Sequence, residues 1–291
     1  MASKTSLRPR TIEFYGYLLR IHILPIFEGV PLIRLNSATI RVWNADLRVG
    51  SISETTAAKA YRLLRQILQA AADDRIIREN PCRSKGATKE HSQEREIPTL
   101  DQVNRVAEAI EPRYRAIVLL AALAELHKGE CFGLARRHID LEADPPTVRV
   151  ERARVETHAF GMISQDPKSE AGIRTVALPS LPAAEFRELL DRWVAPDGDA
   201  LVFTAEHSGD TPSKVVWRRA WGKARASAGV DCTFHDLRHV AGTLNAAAGA
   251  TIKEAMARLD HASPEAARLY QHAAKSRDGE VASAVDRLFG G

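Results

Sequence analysis

At 291 residues, 45% of them hydrophobic, the chain is long enough to bury a substantial core, and its size points to two compact domains. No charged-then-apolar leader opens it, and its longest apolar run, Ala116 to Ala124, is far too short to cross a bilayer, which argues against export and membrane insertion. The formal net charge of +4 is unevenly placed, since residues 1–97 carry 16 Lys+Arg against 10 Asp+Glu whereas residues 98–291 carry 25 against 27.

A basic front half attracts a polyanion through counterion release, and nucleic acid is the commonest such partner in a cytoplasm. A basic face that is merely solvated fits the same count equally well. Cys82, Cys131 and Cys232 are scattered without CxxC spacing. That pattern implies neither a disulfide framework nor a zinc site, and a reducing cytoplasm suits it.

In chain order, the apolar period predicts helices over Thr11–Ile23, with a break near Pro25, and over Ser37–Leu47, capped by Asn36 or Ser37. A third helix runs over Ser53–Ile77, opened by Ser-Glu-Thr-Thr. The polar segment CRSKGATKEHSQERE, residues 82–96, lacks any apolar period and reads as a linker. We therefore divide the chain into a helical domain over 1–84, a linker over 85–97 and a second domain over 98–291.

Beyond the linker, Thr99 or Asp101 can cap a new helix, and residues 113–125 are apolar almost all round, as in a central buried helix. The alternating run TVRVERARV, from Thr147 to Val155, and the segment Gly172–Leu178 predict a small antiparallel sheet. The remainder reads as helices. The fold class expected is mainly α with a small antiparallel β-sheet, an all-helical domain followed by a mixed α+β one.

The stretch FHDLRH, residues 234–239, places His235 and Arg238 three apart. On a helix beginning near Thr233 they share one face, while Leu237, Val240 and Leu244 turn toward the core. Taken alone, the pair fits a capping histidine and an arginine bound to Asp236. Downstream, His261 and Tyr270 are nine apart, which on one continuous helix would set them on opposite sides. Ser263-Pro264 supplies a cap and a first helical position, so a new helix begins there and the two side chains can converge.

FHDLRH followed by L-x-H and then tyrosine resembles the C-terminal signature of the tyrosine recombinases, the phage-integrase family. The likeness extends over nearly the whole chain. RIHILPIFEGVPLIRL and IIRENPC look like that family's core-binding domain. DPKSEAGIRTVALP resembles the hairpin carrying a catalytic lysine, which maps to Lys168. ELHKGECFGLARRHIDL matches the region of the first catalytic arginine and, three residues later, an acidic residue, here Glu130. The resemblance implies a site-specific DNA recombinase whose Tyr270, Arg238, His235, His261, Lys168 and Glu130 serve strand exchange. It also implies double-stranded DNA with attachment-type core sites as partner, a tetramer on two DNA sites, an accessory directionality factor, and residence at the nucleoid of a bacterial host.

The chemistry accounts for those residue types. Attack of the Tyr270 hydroxyl on a DNA phosphate builds negative charge on the nonbridging oxygens, which fixed cations and donors stabilise without metal or nucleotide cofactor. Arg238 offers a planar fork, His235 and His261 can hydrogen-bond phosphate oxygens or move the tyrosine proton, and Lys168 would protonate the departing 5′ oxygen. The 3′-phosphotyrosine conserves bond energy for a second strand's 5′ hydroxyl.

One position departs from the pattern: His127 stands where the family has its first arginine, giving HKGE. Histidine is shorter, has at most two donors and is often neutral near pH 7. Three readings stand side by side: a protonated His127 substitutes in part, Lys128 swings in, or the protein binds its site without cutting. A type IB topoisomerase using the same residue set is a further alternative. In the tail, Val281, Ala284, Val285 and Leu288 form an amphipathic helix with Phe289 beside it, suited to packing on its own domain or, by the resemblance, on a neighbouring protomer. The core-binding pattern begins near Leu7, which leads us to expect the two-domain layout without an arm-binding domain.

Overall fold

The computed structural model describes residues 7–50, 52–89, 96–167, 172–251 and 253–254. They fall into two compact units, 7–89 in the first and residues from 96 onward in the second, with 157–159 grouped with the first. The protein is mainly helical with small antiparallel sheets. Among the described residues, no helix is long and apolar enough to cross a membrane.

The first unit is built from α1 (Pro9–Leu18), a π-helical turn (Leu19–Ile23), α2 (Leu24–Phe27), α3 (Ser37–Val49) and α4 (Glu54–Asp73). The break expected at Pro25 is displaced. The wider π turn carries the helix onward, and Pro25 lies at the start of α2, where its missing N–H costs little. Asn36 caps α3, its Oδ1 accepting from the backbone of Ala38 and Thr39, which leaves the Ser37 hydroxyl to donate to the Pro81 carbonyl. Ser53 caps α4 by accepting from the Thr56 N–H.

The core of this unit gathers around Trp43, whose Nε1 donates to the His22 carbonyl at 2.8 Å and whose ring meets those of Phe27 and Tyr61. Part of the segment read as linker belongs here. Ala87 is buried in this core, its carbonyl accepts from Arg48, and the Ser84 N–H donates to the Tyr61 hydroxyl. Residues 82–89 are polar in sequence yet held by backbone hydrogen bonds, which no apolar period reports.

The second unit is organised on α6 (Pro112–Leu123), buried on all sides between α5 (Leu100–Ala109), α8 (Ser180–Trp193) and α10 (Asp236–Ala247). Thr99 caps α5 in a reciprocal box with Gln102. The helix α7 (Lys128–Gly133) follows α6, and α9 (Lys214–Ala228) packs on α5.

Strands β1 (Ile139–Asp140), β2 (Thr147–Val150) and β5 (Arg174–Ala177) form one antiparallel sheet in the order β1-β2-β5, with Val148 opposite Val176. A separate two-stranded sheet joins β3 (Ala153–Thr157) to β4 (Gly161–Gln165). The alternating run Thr147–Val155 is thus divided between two strands in two sheets, parted at Glu151-Arg152. A tertiary contact causes the split: Arg152 Nε donates to the Gly133 carbonyl, and the Arg152 backbone presses so close that a Cβ on Gly133 would run into its carbonyl oxygen.

Candidate functional site

The site begins where α6 ends. Glu125 takes a left-handed φ of 64° and is fully buried. This reversal sends the chain from the end of α6 to the start of α7 and leaves His127 at the N-cap of that short helix, on an exposed edge. Glu130, 5% exposed, lies three residues on, and its Oε2 accepts the His127 backbone N–H at 2.8 Å.

The second wall is α10. Its regular turns run from Asp236, and the helix opens near Thr233 as expected, because those two residues form a reciprocal cap: Asp236 Oδ2 accepts from the Thr233 N–H and the Thr233 hydroxyl accepts from the Asp236 N–H. His235 sits at the N-cap and is exposed, whereas Arg238 is 2% exposed and donates from Nη1 to the carbonyl of Glu125. Leu237 and Val240 are buried and Leu244 packs against the same core, as the helical spacing predicts.

These contacts bring His127 and His235 face to face, with ring centroids 6.4 Å apart and planes at 6°, and His239 meets His235 edge-on at 5.2 Å. Phe234 anchors this wall, its ring lying edge-on to Trp217 and Trp221 of α9, and Phe132 of α7 meets Trp217 as well.

Electrostatics follow from the packing. Although His127 keeps an exposed edge, desolvation by the protein packed around its imidazole pushes it down to about 4, and Arg238, Arg174 and His235 push the same way while Glu130 opposes them. His235 is lowered too, by burial first and then by His239 and Arg238. Burial alone would raise Glu130. The paired hydrogen bonds and charge of Arg174, with the His127 N–H, outweigh it and hold the carboxyl below its usual range.

Of the residues singled out in the sequence, the structure gathers His127, Glu130, His235 and Arg238 in one place. Lys168, His261, Tyr270, the Ser263-Pro264 break and the tail at 277–291 lie outside the described residues. Two participants were not foreseen. Arg174 on β5 reaches Glu130 through both terminal nitrogens, at 3.0 Å each, and Glu125 lends its main-chain carbonyl to Arg238. The phase of β5 offered a hint for Arg174, since Val176 on the same face of that strand is buried. Nothing in the sequence pointed to Glu125.

The arrangement presents a buried guanidinium flanked by two imidazoles, a set of donors suited to the oxygens of a tetrahedral anion. The Phage integrase family model matches residues 96–277. A putative prophage phiRv2 integrase of Mycobacterium tuberculosis is 38% identical over 287 residues, covering 97% of this chain and 75% of the relative. In fold, the chain is similar to the Tn1549 transposon integrase, solved in complex with a circular intermediate DNA, with a TM-score of 0.81 at 17% identity over 92% of this chain and 91% of that one. It is also similar to a lambda integrase dimer bound to a COC′ core site, with a TM-score of 0.68 at 17% identity over 92% and 90% of the two chains. The family match and the relatives lead to one assignment: the chain belongs to the phage integrase family of tyrosine recombinases.

Proposed function

We propose that the protein cuts and rejoins double-stranded DNA at attachment-type core sites through a 3′-phosphotyrosine at Tyr270, and that His127 slows the step. The observation that carries this reading is the convergence of Arg238, His235 and His127 from two separate helix starts. The Tyr270 oxygen forms a bond to phosphorus as the bond to the 5′ oxygen breaks, and Lys168 delivers a proton to that leaving oxygen. Arg238 is fixed by a main-chain carbonyl and needs no reorganisation to meet the developing charge. His235 and His261 donate to phosphate oxygens or carry the tyrosine proton, and Glu130 holds the turn that presents His127. Neither metal nor nucleotide cofactor enters this chemistry.

The DNA-bound state of the Tn1549 and lambda proteins supports duplex DNA as partner and assembly of copies on it. We extend this to a tetramer on two sites, with the 277–291 tail bridging protomers and a directionality factor joining them. For domains, we propose a core-binding unit ahead of the linker and a catalytic unit after it.

A pool of nicked duplexes with randomised cores, selected for binding and resolved on denaturing gels, tests the chemistry. A covalent adduct that disappears in Tyr270→Phe is the expected result. Binding without any adduct, in the parent chain and in His127→Arg alike, would favour the second reading, a DNA-binding protein that does not cleave. The histidine at position 127, in place of the arginine of the resembled motif, is the feature in favour of that reading. Relaxation of supercoiled plasmid lacking a recombination site would favour a type IB topoisomerase.

A further inference from the structure

Arg174 has no part in the chemistry above, yet it lies beside it. Its side chain is 7% exposed, and Nη1 and Nη2 meet the two oxygens of Glu130 at 3.0 Å each. Nη1 also donates to the Gly172 carbonyl at 3.3 Å, while Nε is buried without a hydrogen-bond partner. A buried ion pair with one donor unsatisfied is a costly way to fill space, since apolar side chains of similar volume pack there as well or better. Its geometry has a direct reach into the site, because the Glu130 oxygen paired with Nη2 is the one that accepts the His127 N–H.

We propose that Arg174 is a positioning residue for strand cleavage: gripping both oxygens of Glu130, it fixes the carboxylate that holds the His127 turn toward the phosphate. This rests on the phosphate-pocket reading above. Arg174 acts through Glu130 and touches no reacting atom. Its planar fork is the essential property, because a lysine ammonium supplies the charge but cannot bind two oxygens in one plane.

The test compares Arg174→Lys with the parent, and adds the pair Glu130→Gln with Arg174→Gln, in which no buried charge is left alone. Amide hydrogen exchange on DNA-free protein reads the His127 N–H. Cleavage of the selected nicked duplex at saturation is read in the His127→Arg background. Arg174→Lys should speed exchange at His127 at least tenfold while Leu120 in α6 keeps its protection, and should slow adduct formation at least tenfold at unchanged DNA affinity. The paired variant should loosen the same amide, which keeps the test open if Arg174→Lys fails to fold. Unaltered exchange at His127 in the folded variants would overturn the proposal, as would a loss confined to melting temperature. Faster exchange with no adduct in any chain would uphold the positioning role and remove the cleavage reading instead.

Discussion

The imidazoles of His127 and His235 lie parallel, their planes 6° apart, although each belongs to the start of a different helix. Both rings are driven toward the neutral form, by burial first and by the Arg238 guanidinium among other groups. Beside them the buried Arg238 guanidinium is held by the Glu125 carbonyl. A second guanidinium at position 127 would add charge where it is lacking.

Replacing His127→Arg should raise the rate of covalent adduct formation by about 10²–10³-fold, the usual scale for one anion-stabilising donor group. Single-turnover cleavage of nicked DNA checks this. An unchanged rate at unchanged DNA affinity would mean that the defect lies elsewhere.

Acid should weaken the fold through the same ring. The folded His127 titrates at about 4 and the unfolded one near 6.5, so the unfolded chain binds the proton more readily. The stability this group contributes is fully present above about pH 6.5 and is lost as pH falls toward 4. His235 is displaced in the same direction. Melting temperature should drop over this window, and His127→Gln should remove part of the slope. A bound phosphate acts oppositely by drawing the proton back, so DNA affinity should rise as pH falls through the same range.

Gly133→Ala should destabilise the second unit by about 1–3 kcal/mol, because the new methyl would meet the Arg152 carbonyl and force the backbone to shift. Denaturant unfolding measures it. A neutral outcome would mean that the β2–β3 junction yields more easily than its contacts imply.

Thr99→Ala should cost about 1 kcal/mol by deleting the oxygen that caps α5 at the Gln102 N–H. Thr99→Ser, which keeps the hydroxyl, should recover most of the loss in the same unfolding measurement.

Local chemistry made much of this architecture readable. Asn36, Ser53 and Thr99 are capping residues placed ahead of apolar periods, and each caps a helix as its type suggests. The three-residue spacing of His235 and Arg238 likewise located one wall of the site. What escaped reading depends on partners distant in the chain. Arg174 sits on an alternating strand, but its role is set by Glu130, 44 residues away. The division of 147–155 follows from Arg152 meeting Gly133, and the docking of 82–89 from Arg48 meeting the Ala87 carbonyl. Periodicity reports which face is wet; it does not report which remote backbone a side chain will grip.

The carbonyl of Glu125 has a consequence for how this protein can vary. Because Arg238 is moored to a main-chain oxygen, no change of side chain at 125 can delete the mooring. Only a residue unable to hold a φ of 64° would shift it, proline above all, whereas glycine, asparagine or aspartate would keep the oxygen in place. What this codon must conserve is therefore a backbone conformation and not a particular side-chain donor or acceptor.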